Sequence, residues 1–305
     1  MLLAFTLVTA GAAEAARRLD AARQLPIQGF RGSLQNPCWS PDGTRLALTN
    51  WTGGYNRAPA LVRVVSAGGG RLGPPIGPTD SDTVNLPGSC WDRASGRIVF
   101  SSDPVGRDQV FTIPWGGGDP FQVTRPPQWA IEPSFSPDGR WIVFESLAAS
   151  ERRREIWKVR SDGSDLTRLT SGADDRQPNW SPRGDLIAFQ RQRRGQWDIF
   201  VVRPDGDGLR NVTRTGHHSE TDVSWSPTGR YLVYSGDRNV DIASLFTVRA
   251  DGSGARGLTR TRGFYDGAPS WSPDGTRIAF EARAGEPDDS PGTRIWVIRA
   301  PRDRR

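Results

Sequence analysis

Lysine is all but missing from this chain. Of its 40 basic residues, Lys158 is the single lysine and the other 39 are arginine. The arginines are spread along the whole length, whereas nucleic-acid-binding chains gather their cations on one face. The net charge of +6 therefore reads as a solvated surface, and nucleic acid is excluded as a partner. Histidine is nearly as scarce: His217 and His218 are the only two. Neighbours on an extended strand point to opposite sides, so the pair does not share a metal, and a His-rich metallolyase centre is excluded. No G-x-S-x-G occurs, so nothing marks a serine nucleophile on an elbow. Long apolar runs are absent too. The longest candidate, residues 2–10, is too short to cross a bilayer. With the small residues after it and Ala13-Glu14-Ala15, it reads as an export signal over residues 1–15. That places the mature protein in the periplasm or outside the cell, without a transmembrane segment.

What the sequence has in quantity is one phrase, an aromatic followed by Ser-Pro-Asp-Gly or a close variant and then an apolar run. The copies begin at Trp39, Trp91, Phe135, Trp180, Trp225 and Trp271. Successive copies are 52, 44, 45, 45 and 46 residues apart. A strand-rich period of about 40–50 residues marks a propeller or a solenoid. The third copy shows the content of one unit. Glu132 to Ser136 is a short extended segment. Pro137-Asp138-Gly139 is turn chemistry, with Pro presetting φ and Gly accepting positive φ. Trp141 to Phe144 is apolar on both faces, Glu155 to Val159 is a third strand, Asp162-Gly163 turns the chain, and Leu166 to Thr170 is a polar fourth strand. A four-stranded meander with two apolar faces needs a neighbour on each side, which radial packing supplies.

The expected fold is thus all-β: a six-bladed β-propeller of four-stranded antiparallel blades filling residues 16–305, most simply as a monomer. The last repeat lacks a fourth strand. Arg23 to Ile27 resembles the missing strand, and pairing it with residues 293–299 closes the ring. Five of the twelve tryptophans occupy the repeat-aromatic position, which favours wedging between blades over ligand stacking. Cys38 and Cys90 each precede a repeat aromatic, where other copies have Ser134, Asn179, Ser224 and Ser270. Equivalent residues on rotated blades point the same way round the ring. That favours two buried thiols over a bridge, which export alone permits without requiring. Asp205-Gly206-Asp207-Gly208 hints at calcium, but its counterparts Asp162-Gly163-Ser164 and Asp251-Gly252-Ser253 mark an ordinary hairpin turn.

These motifs resemble the PD40, or TolB-like, propeller repeat. Trp271-Ser-Pro-Asp-Gly275 with Ile278-Ala-Phe280, and the closing Leu169-Thr170, carry the likeness. The resemblance implies six blades, often an envelope location, and a protein partner held at one mouth of the channel, as TolB propellers hold the lipoprotein Pal. TolB proteins carry a further N-terminal domain. Only about twenty residues precede the repeats here, so the arm that binds TolA is not carried over.

Function should then lie in what varies just upstream of each aromatic, where loops meet the channel mouth. Glu132, Asp175, Glu220, Asp222 and Asp266 stand three or five residues before their aromatics. Four consecutive blades thus offer a carboxylate to a cation or to a basic segment of a partner. Trp129, Phe264 and Tyr265 lie in the same loops, as does Phe30. Arg152 to Arg154 and Arg191 to Arg194 sit on that face farther from the axis. The leading expectation is a non-enzymatic, exported binding module holding a protein or peptide at the mouth, with no cofactor beyond an optional Ca²⁺. The competing class is a metal-dependent lactonase- or lyase-like propeller with those carboxylates as ligands.

Overall fold

The computed structural model describes residues 22–301 apart from 80–81, 87–89, 93, 95, 104–105, 128, 148–152, 238–242, 260–263 and 285–291. Residues 1–15, expected to be an export signal, and Arg152 lie outside the described residues. No described helix is long and apolar enough to cross a membrane.

Six four-stranded antiparallel sheets follow one another along the chain. The third blade is representative: Ile131–Phe135 innermost, then Trp141–Leu147, Arg154–Arg160 and Thr167–Arg168 outermost. The Ser-Pro-Asp-Gly phrase builds its first turn. Ser136 Oγ donates to Asp138 Oδ1 at 2.5 Å and accepts the Trp141 amide at 2.9 Å. Asp138 accepts the Arg140 amide at 3.1 Å, and Gly139 takes φ 68°, open to glycine at no steric cost. The Asp205 turn matches those at Asp162 and Asp251: each aspartate accepts the amide two residues on, at 2.8–2.9 Å.

Each blade buries its two apolar faces against its neighbours, and six hydrophobic clusters fill the six seams. The repeat aromatics sit in these seams. Trp39, Trp91 and Trp225 donate their indole N–H to the carbonyls of Ser270, Cys38 and Asn179, each on the preceding blade, at 3.0–3.1 Å. The ring closes as expected: Arg23–Gln24 pairs with Arg294–Arg299, in the register Arg23 to Val297 and Gln24 to Trp296. Blade one ends in the short strand Pro75–Ile76, and Gly70–Arg71 instead pairs in parallel with Ile27–Gln28.

The cysteines correct the sequence reading. Cys38 and Cys90 form a disulfide, with Cα atoms 6.1 Å apart. Both side chains lie in the seam between blades one and two and turn toward each other, so Cys90 does not point onward round the ring. Two seams on, Ser134 also reaches across to the next blade, accepting the Trp180 amide at 3.1 Å.

Candidate functional site: a polar belt in the channel

Five inner strands carry the same irregularity. Two residues face one across the pair, at Asn36-Pro37 opposite Leu48, Glu132-Pro133 opposite Phe144, Gln177-Pro178 opposite Phe189, Asp222-Val223 opposite Tyr234, and Ala268-Pro269 opposite Phe280. These are β-bulges, which bend the strand and re-aim side chains. The first residue of each pair is left-handed, with φ 51°, 53°, 51°, 54° and 44° in that order. Proline suits the second position because the bulge asks no ladder hydrogen bond of it. The consequence is a belt: Asn36, Glu132, Gln177, Asp222 and Ala268 line one central pocket together with Leu86 of blade two. The belt stands three residues from the repeat aromatics, about 10 Å along the strand. The far end of the channel is a separate cavity of about 90 Å³, floored by the repeat aromatics and rimmed by Pro41, Pro137, Pro182, Pro227 and Pro273.

Blade-to-blade hydrogen bonds tie the belt together. In three blades the side chain that follows the apolar triplet on the second strand reaches to the next blade's bulge amide. Glu145 accepts the Gln177 amide at 2.7 Å, Gln190 that of Asp222 at 3.2 Å, and Glu281 that of Asn36 at 3.1 Å. Asn36 donates to Asn85, and Asn85 donates in turn to Glu132. Asp222 accepts the Ala268 amide at 3.4 Å and the Tyr265 hydroxyl.

Four carboxyl groups thus share a confined space. Burial, followed by the charges of Glu145 and Asp222, raises the Glu132 carboxyl well above its usual range. Burial raises Glu145 against the opposing pull of its ion pair with Arg154. Burial likewise raises Asp222 despite the hydrogen bonds it accepts. Glu281 is pushed up to about 8 by burial and then by Asp222, so it holds its proton at neutral pH. The belt is therefore a ring of donors and acceptors more than a ring of anions. Among the described residues no three His, Cys, Asp or Glu side chains are grouped to hold a metal ion.

The sequence-selected residues divide between two environments. Glu132 and Asp222, three before their aromatics, reach the pocket. Asp175, Glu220 and Asp266, five before theirs, are completely buried and do not line it. Asp175 is clamped by Arg191 through two bonds of 2.6 and 2.7 Å, and Glu220 accepts Thr215 at 2.6 Å. In a regular strand positions two apart share a face; the bulge that begins at the second position breaks that parity. Tyr265 joins the belt through Asp222. Trp129 stands behind it, stacked 4.7 Å from the Arg154 guanidinium and donating to Asp108. Phe264 opens the inner strand of blade six and is half-buried. Asn36, Asn85, Gln177, Glu145, Gln190 and Glu281 went unselected. The polar residue ending each apolar triplet was the available signal for the last three.

The model of the TolB β-propeller domain, PD40, matches residues 14–191 and 88–266. This chain belongs to the TolB β-propeller family. Among curated relatives, the Tol-Pal system protein TolB of Francisella tularensis subsp. mediasiatica is 26% identical over 208 residues, 66% of this chain and 46% of that protein. The chain thus spans about half the length of the curated TolB relatives it matches. A solved structure from Agrobacterium tumefaciens that carries the TolB name superposes with a TM-score of 0.66 at 22% identity, covering 89% of this chain and 91% of that one. A gluconolactonase from Xanthomonas campestris gives 0.64 at 16% identity, covering 95% and 93%. At such identities the structural likeness is one of fold, and it extends from TolB propellers to enzymes.

Proposed function

We propose that this TolB-family propeller is a non-enzymatic binding module of the cell envelope, working outside the cytoplasm and holding a segment of a protein partner at the mouth of its channel. One observation carries the reading: bulges in five blades aim Asn36, Glu132, Gln177, Asp222 and Ala268 into one pocket. Such a belt offers alternating donors and acceptors to an inserted chain. Its carboxyl groups also become anionic when a cationic side chain enters, which suits a basic residue in the partner. The Tol-Pal name of the relatives supports a protein partner in the envelope.

The test is capture from envelope extract with wild type, the double variant Glu132→Ala/Asp222→Ala, and a control, Leu166→Ala, on an exposed outer site. A partner retained by wild type and control but lost by the double variant is expected. Capture indifferent to the belt would overturn the reading. The lactonase- or lyase-like alternative, drawn from the fold alone, is tested by calorimetric titration with Ca²⁺, Mn²⁺ and Zn²⁺. Stoichiometric binding abolished by Asp222→Ala would favour it.

A further inference from the structure

At the seam between blades six and one, a guanidinium is buried without the bonds it needs. Arg283, on the strand Arg277–Ala284, is 3% exposed. Its charged end lies against two phenol rings, 4.4 Å from the centre of Tyr55 and 5.1 Å from that of Tyr265. Its Nε and one Nη have no hydrogen-bond partner among the described residues. The acid two residues away, Glu281, spends an oxygen on the Asn36 amide. Cation–π contacts offset part of the desolvation of an arginine, but unmade hydrogen bonds from a buried charge remain costly. Arginines elsewhere around the mouth are paired: Arg154 with Glu145, Arg176 with Asp174, Arg191 with Asp175.

The way in is through Tyr55. It is half-exposed and belongs to the blade-one loop between Trp51 and Ala60, where Gly53 and residues 56–59 are exposed. Negative charge on Asp222, and on Glu281 once it ionises, would repel a doubly charged phosphate more than a singly charged group. Guanidinium–carboxylate pairing is planar and bidentate, which favours a carboxylate as the monoanion.

We infer that Arg283 is a carboxylate anchor, receiving a chain-terminal or side-chain carboxylate, or a free small acid, when Tyr55 swings aside. The inference rests on the mouth being the binding face. Its test uses the full chain and three probes: sodium acetate, tri-alanine with a free carboxylate, and tri-alanine amide. Thermal unfolding is followed against sodium chloride at equal ionic strength. Acetate should raise the midpoint of wild type above chloride, since a ligand that binds only the folded state stabilises it. Arg283→Gln should abolish the difference and Arg283→Lys should keep part of it. Tri-alanine acid acting at lower concentration than acetate, with the amide inert, assigns the site to a chain end. Equal potency of the two acids assigns it to a small acid. Should Arg283→Gln not fold, Tyr55→Ala removes the ring that covers the guanidinium and should shift the acetate midpoint concentration at least threefold. Identical wild-type midpoints in acetate and chloride, the same acetate response in Arg283→Gln, or an unmoved response in Tyr55→Ala would each overturn the inference. Partner capture that survives Arg283→Gln while failing in Glu132→Ala/Asp222→Ala removes the anchor and leaves the mouth reading standing.

Discussion

Replacing Glu281 with glutamine should flatten the dependence of stability on pH between about 5 and 8. The wild-type carboxyl titrates from an ordinary 4.5 in the unfolded chain and about 8 in the native one. Between those values the folded state holds the extra proton, so stability falls as pH rises, and the loss is complete only above the native value. For one such group the wild-type penalty is about 1 kcal/mol at pH 5 and about 3 kcal/mol at pH 7. Glutamine keeps an acceptor for the Asn36 amide, bonded at 3.1 Å in wild type, and removes the titration. Its amide N–H₂ brings a desolvation cost of its own, but that cost is the same at every pH. The quantity to read is therefore the change in the difference between the two proteins. Urea unfolding at pH 5, 6, 7 and 8 should show Glu281→Gln gaining about 2 kcal/mol on wild type from pH 5 to 7. A difference constant across that range would refute the claim that Glu281 is neutral in the native channel.

Other outcomes follow from the same geometry. Asp175→Ala strands the buried Arg191 guanidinium and should cost about 3–5 kcal/mol in denaturant unfolding, whereas a solvated loop carboxylate would cost almost nothing. Reducing the Cys38–Cys90 bridge, which closes a separation of 52 residues, should lower stability by about 4 kcal/mol in the loop-entropy picture; Cys38→Ser/Cys90→Ser should match reduced wild type and ignore reductant. Ala268→Gly relieves a left-handed alanine at φ 44° and should stabilise by about 1 kcal/mol, read as a rise in unfolding midpoint.

The architecture was legible because it is written six times. The aromatic, the Ser-Pro-Asp-Gly turn and the apolar triplet each recur, and the strand missing from the last repeat pointed to Arg23–Gln24 at the other end of the chain. The site was legible only in part, for a local reason. Counting by twos along a strand puts Asp175 and Gln177 on one face, as it does Glu220 and Asp222. A bulge that begins at the second of each pair turns it into the channel while the first stays buried, and nothing in the alternation of residue types announces it. Left-handed Asn36 and Gln177 looked like ordinary polar positions. The disulfide was misjudged because blade two was treated as a plain rotation of blade one, whereas its inner strand is broken into Val84–Asn85 and a bridge at Trp91, and Cys90 shares the seam of Cys38. Arg283 stands three residues past its apolar triplet, where other copies carry Trp51, Leu147, Gln192 and Asp237, and Tyr55 lies in a loop that differs between copies, so no comparison between copies could single them out.

The bulge position has a consequence for how such a surface can change over generations. The residue displayed there contributes little to the seams, whose clusters are built from other positions. The backbone excursion that presents it is fixed by neighbours. Asn, Glu, Gln, Asp and Ala already occupy five equivalent pedestals in this one chain. Each blade therefore works as an interchangeable letter in a short circular word. Recognition can be respelled one letter at a time while the scaffold that displays it stays the same.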